Sequence, residues 1–219
     1  MTDQSAISEV RARHRAERTA AASDHVRRAA ILEAAERVLE RTPVHELSVA
    51  QIISEAGVAR ATFYAYFESK YEVVAALMDS VMVQMYDLLL PFAERPSDTS
   101  PRAALTEVLT ESARLWHRHA VVFRATHDHR HAVPELAEQW LRVTKQFTDA
   151  VAAEIDRDIA AGLAPAGRDT RQLAASLVWS SEHLFYVAGS NLDDDLPSEE
   201  AIVETLVNLW LGAIYPTLD

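Results

Sequence analysis

The sequence predicts an all-α protein of about nine helices, and three observations support this fold class. Only five of the 219 residues are glycine, whereas alanine, the residue with the highest helix propensity, is abundant. Apolar residues recur at intervals of three and four through most of the chain, which is the spacing of one helix face. No segment shows the sustained two-residue alternation of a half-buried strand. We therefore expect packed helices and no β-sheet.

The N-terminal segment, residues 1–22, is rich in arginine, alanine and serine and lacks a regular apolar pattern. We interpret it as a flexible basic arm. The net charge of the whole chain is −12, but residues 1–80 carry ten basic and twelve acidic side chains, so most of the negative charge lies further along. Contacts with nucleic-acid phosphates are therefore expected from the front third. The basic residues of the arm and of the segment after it are Arg11, Arg13, Arg15, Arg18, Arg27 and Arg28.

The first two predicted helices have recognisable ends. One covers about residues 24–41, carries apolar side chains on one face, and ends before Pro43, which cannot continue a helix. The next begins after Ser48, which forms a capping box with Gln51, and closes at Gly57, which can adopt the left-handed backbone conformation. Both helices are short enough to belong to one small domain.

A short third helix, Arg60–Tyr66, is predicted to follow after a tight turn. Two short helices joined by a turn with glycine are typical of the helix-turn-helix, whose second helix enters the major groove of DNA. Phe63 and Phe67 lie four residues apart, so they are expected to anchor the third helix to the other two. Residues 23–69 are therefore predicted to form a three-helix, DNA-binding domain.

The remaining side chains near the third helix are of types that contact DNA. Arg60 suits the acceptor edge of guanine, whereas Tyr64 and Lys70 suit phosphate oxygens. Lys70 also lies at a helix N-terminus, where backbone N–H groups favour an anion. The candidate DNA-binding residues are Ser48, Arg60, Ala61, Thr62, Tyr64, Tyr66 and Lys70.

The segment from Ser48 to Lys70 resembles the signature of the TetR family of transcriptional repressors. Its most specific elements are Ala56-Gly57-Val58, Phe63-Tyr64-x-Tyr66-Phe67 and Ser69-Lys70. The resemblance implies a homodimer, joined through the last two helices, that binds a palindromic operator in double-stranded DNA and is released by a small effector. Further along, Val122-x-Arg124-Ala125 and Leu209-Trp210 resemble the branch of this family that regulates ethionamide activation in mycobacteria. Ala59 departs from the family pattern of Ser or Thr, so the third helix is expected to lack a side-chain cap.

Residues 70–219 are predicted to form a larger helical domain for ligand binding and dimerisation. Its first helix opens with a second capping box, formed by Ser69 and Glu72. Residues 127–131 are interpreted as a loop. Helices are expected over about residues 70–92, 101–117, 120–126 and 134–159, and after the capping residues Asp169 and Ser198. The residues expected to form the dimer seam are Leu173, Leu177, Leu206 and Val207.

All four tryptophans fall in this second domain. Large rings leave irregular gaps between helices, and helical bundles house ligands in such gaps, so we expect a cavity for a small, mostly apolar effector. Thr144 and His183 would be the polar groups that orient the effector. The alternative is a solid core, which would make the protein a constitutive DNA-binding dimer. The candidate ligand-binding residues are Met82, Tyr86, Trp116, Phe123, Trp140, Thr144, Phe147, Trp179, His183 and Trp210.

A group of histidines leaves a second alternative open, a metal-responsive regulator. Histidine and carboxylate side chains bind divalent metals when they converge on one point. A solvated loop is the simpler interpretation of this segment, and no cofactor is expected. The group consists of His117, His119, His127, His129 and His131, with Asp128 nearby.

Several classes of function are excluded by residues that the sequence lacks. There is no cysteine, which excludes disulfides and thiolate chemistry. The sequence contains no nucleophile elbow, P-loop or glycine-rich dinucleotide turn, so we expect no enzymatic activity. No apolar run approaches the roughly 20 residues of a membrane span, and the first residues do not resemble a signal peptide. A cytoplasmic protein without a membrane partner is therefore expected.

Overall fold

The computed structural model describes residues 24–93, 95, 99–189 and 198–215, and in these residues all regular structure is helical. The predicted basic arm lies outside the described residues. Within them the predicted all-α fold is confirmed, and none of the helices is both long and apolar enough to cross a membrane. The helices are α1 (residues 24–39), α2 (Val49–Ala56), α3 (Arg60–Tyr66), α4 (Lys70–Ala93), α5 (Pro101–Arg118), α6 (Ala120–His129), α7 (Pro134–Ala160), α8 (Thr170–Gly189) and α9 (Glu199–Ile214).

The chain divides into two compact units, and the boundary between them falls within α4. The N-terminal unit ends at Val74, and the C-terminal unit begins at Ala75. The boundary expected from the sequence, between residues 69 and 70, lies at the start of the same helix. Helix α4 therefore contributes residues to both units.

The N-terminal unit has the predicted turn between α2 and α3. The Ser48 hydroxyl accepts a hydrogen bond from the Gln51 N–H at 3.3 Å, while the Gln51 side chain accepts one from the Ser48 N–H at 2.8 Å. This confirms the capping box at the start of α2. Gly57 closes α2 with φ 63°, a left-handed conformation that glycine adopts without strain. Glu55 of α2 also accepts hydrogen bonds from Arg37 of α1 and from Arg41, which follows α1.

The starts of α3 and α4 differ in their capping. Ala59 provides no side-chain hydrogen bond to α3, as expected. Ser69 accepts the Glu72 N–H at 3.1 Å, but the Glu72 carboxylate accepts the N–H of Glu68, at 2.6 Å, and not that of Ser69. The second predicted capping box is therefore only half formed, because Glu72 reaches one residue further back along the chain.

Helix α6 is longer than predicted and corrects the interpretation of residues 127–131 as a loop. It continues to His129, and the Arg130 N–H still bonds to the Thr126 carbonyl at 2.9 Å. The segment contains polar side chains but neither glycine nor proline, so nothing interrupts the helix until the chain approaches Pro134. The side chains of residues 127–129 therefore point in the directions set by the helix.

A buried ion cluster joins three parts of the C-terminal unit. The Arg95 Nη2 atom donates to both carboxylate oxygens of Asp158, at 3.0 and 3.1 Å, and the Tyr215 hydroxyl donates to the same carboxylate. The side chains of Arg95 and Asp158 are each only 6% exposed. The cluster links the last turns of α7 to the residue after α9 and to the connection between α4 and α5.

The dimer seam expected from the sequence needs correction. Leu177, Leu206 and Val207 are buried within a single chain. Leu173, on the same face of α8 as Leu177, is half-buried. The three buried side chains form part of the chain's own core, so they are not available to a second copy, whereas Leu173 is only partly accessible. The large apolar residues that α8 and α9 expose are Trp179 and Leu209, at 38% and 44%.

Candidate functional site

Helix α3 presents a polar face to solvent and buries the opposite face. Phe63 and Phe67 are buried, as expected for the anchors of this helix. Arg60, Ala61 and Tyr64 are exposed together. The Arg60 Nη2 atom donates to the Tyr64 hydroxyl at 3.3 Å, and its guanidinium carbon lies 5.2 Å from the centre of the Tyr64 ring. The structure thus brings three of the candidate DNA-binding residues onto one accessible surface.

Three other candidates are less available to DNA. Thr62 is half-buried, and the exposed Ser48 uses its side chain to cap α2. The Tyr66 hydroxyl donates to the Asp24 carboxylate at 2.6 Å, a bond that raises the pKa of Tyr66 and ties α3 to α1. Tyr66 therefore stabilises the N-terminal unit through a bond that a phosphate would have to replace.

Lys70 has different partners from those expected. Its Nζ atom donates to the carbonyl oxygens of Val44 at 2.8 Å, His45 at 3.2 Å and Leu47 at 2.8 Å. An ammonium group has three N–H donors, so these bonds use all of them. Burial lowers the pKa of Lys70. The side chain holds the loop between α1 and α2, and a phosphate would have to displace one of the three carbonyls.

The C-terminal unit contains a cavity between helices α4 to α9, with a volume of about 110 Å³. This is comparable to an engineered cavity of ~150 Å³ that binds benzene. The rings of Trp116 and Phe123 stack in its wall with centroids 3.7 Å apart. The candidate ligand-binding residues that line the cavity are Met82, Trp116, Phe123, Trp140, Thr144, Phe147 and Trp210.

The other three candidates, Tyr86, Trp179 and His183, are not among the lining residues. Tyr86 contacts the cavity wall only indirectly: its ring stacks on that of the lining residue Phe147, with centroids 4.4 Å apart. Trp179 and His183 are exposed on α8. An amphipathic sequence pattern cannot distinguish a residue that lines a cavity from a neighbour on the same helix that does not. This is why these three residues were predicted to line the cavity although they do not.

Two polar groups in the cavity wall already form hydrogen bonds within the protein, and a third has no described partner. The Thr144 hydroxyl donates to the Trp140 carbonyl at 2.9 Å, so its proton is used within α7. The Trp210 indole N–H donates to the Ser181 hydroxyl at 3.0 Å. The Trp140 indole N–H, by contrast, is buried and has no acceptor among the described residues.

Glu182 is the functional candidate that the sequence analysis missed. It is the one ionisable side chain among the described residues that line the cavity. Val178, Ser181 and Phe185 also line it, so Glu182 belongs to a helix face with the spacing of three, four and seven residues. An acidic residue on an otherwise apolar face of α8 is the signal that could have identified it.

The surroundings of Glu182 disfavour its charged form. Its side chain is 11% exposed, and its Oε1 atom is buried without a hydrogen-bond partner among the described residues. The His127 Nε2 atom lies 3.7 Å away. Burial raises the pKa of Glu182 to about 7, against the opposing effect of the Arg130 charge. Burial, and next the charge of Arg130, lower the pKa of His127 to about 4.

The histidine group that leaves a metal-responsive regulator open as an alternative does not converge as a group in the described residues. Among the described residues, the three whose possible ligand atoms lie within 4.8 Å of one another are His127, Glu182 and His183. Only His127 belongs to the predicted group. The longer helix α6 explains this result, because successive residues of a helix point in different directions.

Two families match the chain, one in each part. Residues 31–77 match the bacterial regulatory proteins of the tetR family, and residues 105–216 match the C-terminal domain of the transcriptional regulator EthR. The second match covers the helices that form the cavity, apart from α4.

The relatives of this chain are transcriptional regulators. It is 32% identical to the HTH-type transcriptional regulator EthR of Mycobacterium tuberculosis over 92% of this chain and 93% of that protein. It is likewise 32% identical to EthR of Mycolicibacterium smegmatis, over 93% of each protein. The crystal structure of FadR from Bacillus subtilis shares the fold, with a TM-score of 0.70 and 19% identity over 84% of this chain and 98% of that one. With an exposed helix-turn-helix surface and an EthR-type C-terminal domain, this chain belongs to the TetR family of DNA-binding transcriptional regulators.

Proposed function

We propose that this regulator is a repressor that leaves its operator when a small, mostly apolar effector enters the cavity of the C-terminal unit. The observation that carries the proposal is the cavity itself, since a solid core was the alternative. Its wall is built mainly from aliphatic and aromatic side chains with few polar groups, as in most small-molecule sites. The FadR structure similar to this one was obtained in complex with stearoyl-CoA, which supports a ligand site in this fold.

Helix α4 is the element through which the effector acts. Met82 and Met85 of α4 line the cavity, and the same helix begins at Lys70 in the N-terminal unit. An effector that displaces this wall therefore acts on a helix shared with the DNA-binding unit. To act as an inducer, the effector must bind the DNA-free conformation more tightly than the DNA-bound one.

The regulator binds DNA as a homodimer, because a palindromic operator has two half-sites about 34–36 Å apart. We place the dimer seam at Trp179 and Leu209, the large apolar side chains that α8 and α9 expose. Leu209→Glu is expected to convert a dimer of 24.4 kDa chains into monomers, because a carboxylate cannot be buried in an apolar seam without a partner.

Sedimentation velocity at micromolar concentration checks this prediction. Leu163→Glu is the matched control, since Leu163 is similarly exposed but lies between α7 and α8. A wild-type protein that sediments as a monomer would contradict the proposed dimer. A dimer that persists in the Leu209→Glu variant would contradict the proposed seam.

The DNA-binding surface is tested by separating base recognition from phosphate contact. Arg60→Ala is expected to weaken binding to the operator by about tenfold or more, because a guanine contact is worth ~1–3 kcal/mol, and to weaken binding to random DNA much less. Tyr64→Ala is expected to weaken both by similar factors, since phosphate contacts carry no sequence information.

Affinities are measured by fluorescence anisotropy on an operator selected from a random DNA pool and on a scrambled duplex. Arg114→Ala is the control, because Arg114 is an exposed arginine of the C-terminal unit. If Arg60→Ala reduced both affinities by the same factor, the assignment of Arg60 to base recognition would be wrong.

A further inference from the structure

We propose that the cavity selects an apolar molecule that carries one protonated amine, which the Glu182 carboxylate binds directly. This inference rests on the proposed function, because it treats the cavity as the effector site. It adds the chemical class of the effector, which neither the fold nor the relatives specify.

Glu182 lines a cavity whose other described lining residues carry apolar, hydroxyl or indole side chains. No other ionisable side chain is found among the described lining residues. Its Oε1 atom is buried without a hydrogen-bond partner in the described part of the chain. A buried carboxylate without a partner is strongly disfavoured, whereas a carboxylate that receives N–H bonds from a cation is stabilised. A ligand ammonium would provide those donors.

No described side chain forms a hydrogen bond with the Oε1 atom of Glu182, and the Arg130 charge only partly offsets the effect of burial on this carboxylate. The His127 Nε2 atom, on α6, is 3.7 Å away, beyond a normal hydrogen bond, and burial keeps this histidine neutral near pH 7. Arg130, which follows α6, places its guanidinium 4.9 Å from the centre of the Trp140 ring on α7 and forms no described ion pair with Glu182. His183, on α8, is exposed. The carboxylate is therefore free to pair with a ligand.

The rest of the cavity suits the apolar part of such a molecule. The stacked rings of Trp116 and Phe123 and the side chain of Trp140 provide flat apolar surfaces. The volume of about 110 Å³ limits the ligand to roughly one aromatic ring or a short alkyl chain. An organic acid of the same size would place a second negative charge beside Glu182, which is unfavourable at low dielectric.

Three matched probes test the inference: phenethylamine, phenethyl alcohol and phenylacetate. Their aromatic parts are alike, while their polar ends are cationic, neutral and anionic. Isothermal titration calorimetry at pH 8 is expected to show phenethylamine binding about tenfold or more tightly than the alcohol, because hydrogen bonds to charged groups are the stronger ones. Phenylacetate is expected to bind most weakly.

Two variants assign the preference to one residue. Glu182→Gln keeps the shape of the side chain but removes its charge. It is expected to lower the affinity for phenethylamine at least about tenfold and to change the affinity for phenethyl alcohol less than about threefold. Glu138→Gln removes a carboxylate from an exposed position of α7 and is expected to leave all three affinities unchanged. Circular dichroism checks that both variants retain the helical fold.

Three results would overturn the inference: the alcohol binding as tightly as the amine, Glu182→Gln retaining wild-type affinity for the amine, or none of the probes binding at millimolar concentration. Operator affinity, measured with each bound probe, keeps the two proposals apart. If the alcohol binds without discrimination and still weakens operator binding, the proposed function stands and the amine preference fails. If the amine binds through Glu182 but operator affinity does not change, the ligand chemistry stands and the effector role fails.

Discussion

Replacing Asp158 by alanine is expected to lower the free energy of unfolding by about 3–5 kcal/mol, because it removes one partner of a buried ion pair. The Arg95 side chain is only 6% exposed, so its guanidinium would be left buried without the carboxylate that it binds. The Tyr215 hydroxyl, which is also buried, would lose its acceptor. Since small domains are stable by only about 5–15 kcal/mol, such a loss is a large fraction of the total.

Urea unfolding followed by far-ultraviolet circular dichroism measures the effect. Asp156→Ala is the matched control, because Asp156 lies two residues earlier on α7 and is exposed. We expect the control to change stability by less than about 0.5 kcal/mol, as is usual for surface substitutions. A loss of less than 1 kcal/mol for Asp158→Ala, similar to the control, would show that the cluster does not hold the C-terminal unit together.

Glu182→Gln is expected to stabilise the protein at pH 8 but not at pH 4. Burial raises the pKa of Glu182 from an ordinary value of 4.5 to about 7 in the folded protein. A raised carboxyl pKa means that folding favours the protonated form, so stability is fully present below pH 4.5 and is lost as the pH rises towards 7. A difference of this size corresponds to a penalty on the order of 3 kcal/mol above pH 7.

The informative quantity is the change in the variant's advantage between the two pH values, since the buried amide of glutamine contributes equally at both. Urea unfolding of the wild type, Glu182→Gln and Glu138→Gln at pH 4 and pH 8 provides it. The exposed Glu138 is expected to show no such change between the two pH values. An advantage of Glu182→Gln that is the same at pH 4 and pH 8 would contradict a buried, unpaired carboxylate at this position.

The N-terminal unit could be predicted largely from local sequence. The limits of α2 and α3 follow from a capping box and from Gly57, both of which act through neighbouring backbone groups. The exposed face of α3 follows from the positions of Phe63 and Phe67. Lys70 was assigned differently because its three carbonyl partners lie more than twenty residues earlier in the chain. No local pattern indicates such a contact.

The C-terminal unit shows where sequence patterns lose resolution. The sequence pattern ends helix α6 too early, because polar residues such as His127 and His129 are typical of loops although neither of them breaks a helix. Glu182 was missed because its importance depends on which face of α8 meets the cavity. The seam predicted at Leu173, Leu177, Leu206 and Val207 needs correction for the same reason, because an apolar helix face can meet either its own chain or a second copy.

The most direct test of the central claim is the affinity for operator DNA with and without saturating ligand. The ligand is whichever of the three aromatic probes binds the cavity most tightly. The Thr144→Trp variant, whose larger side chain is expected to fill the cavity, serves as a control for the site. We predict that saturating ligand weakens operator binding by about 5–150-fold in the wild type, the range that a coupling free energy of ~1–3 kcal/mol produces. The same ligand should have no effect on operator binding in Thr144→Trp. An unchanged operator affinity in the wild type, with the cavity demonstrably occupied, would contradict the account and leave a constitutive DNA-binding dimer in its place.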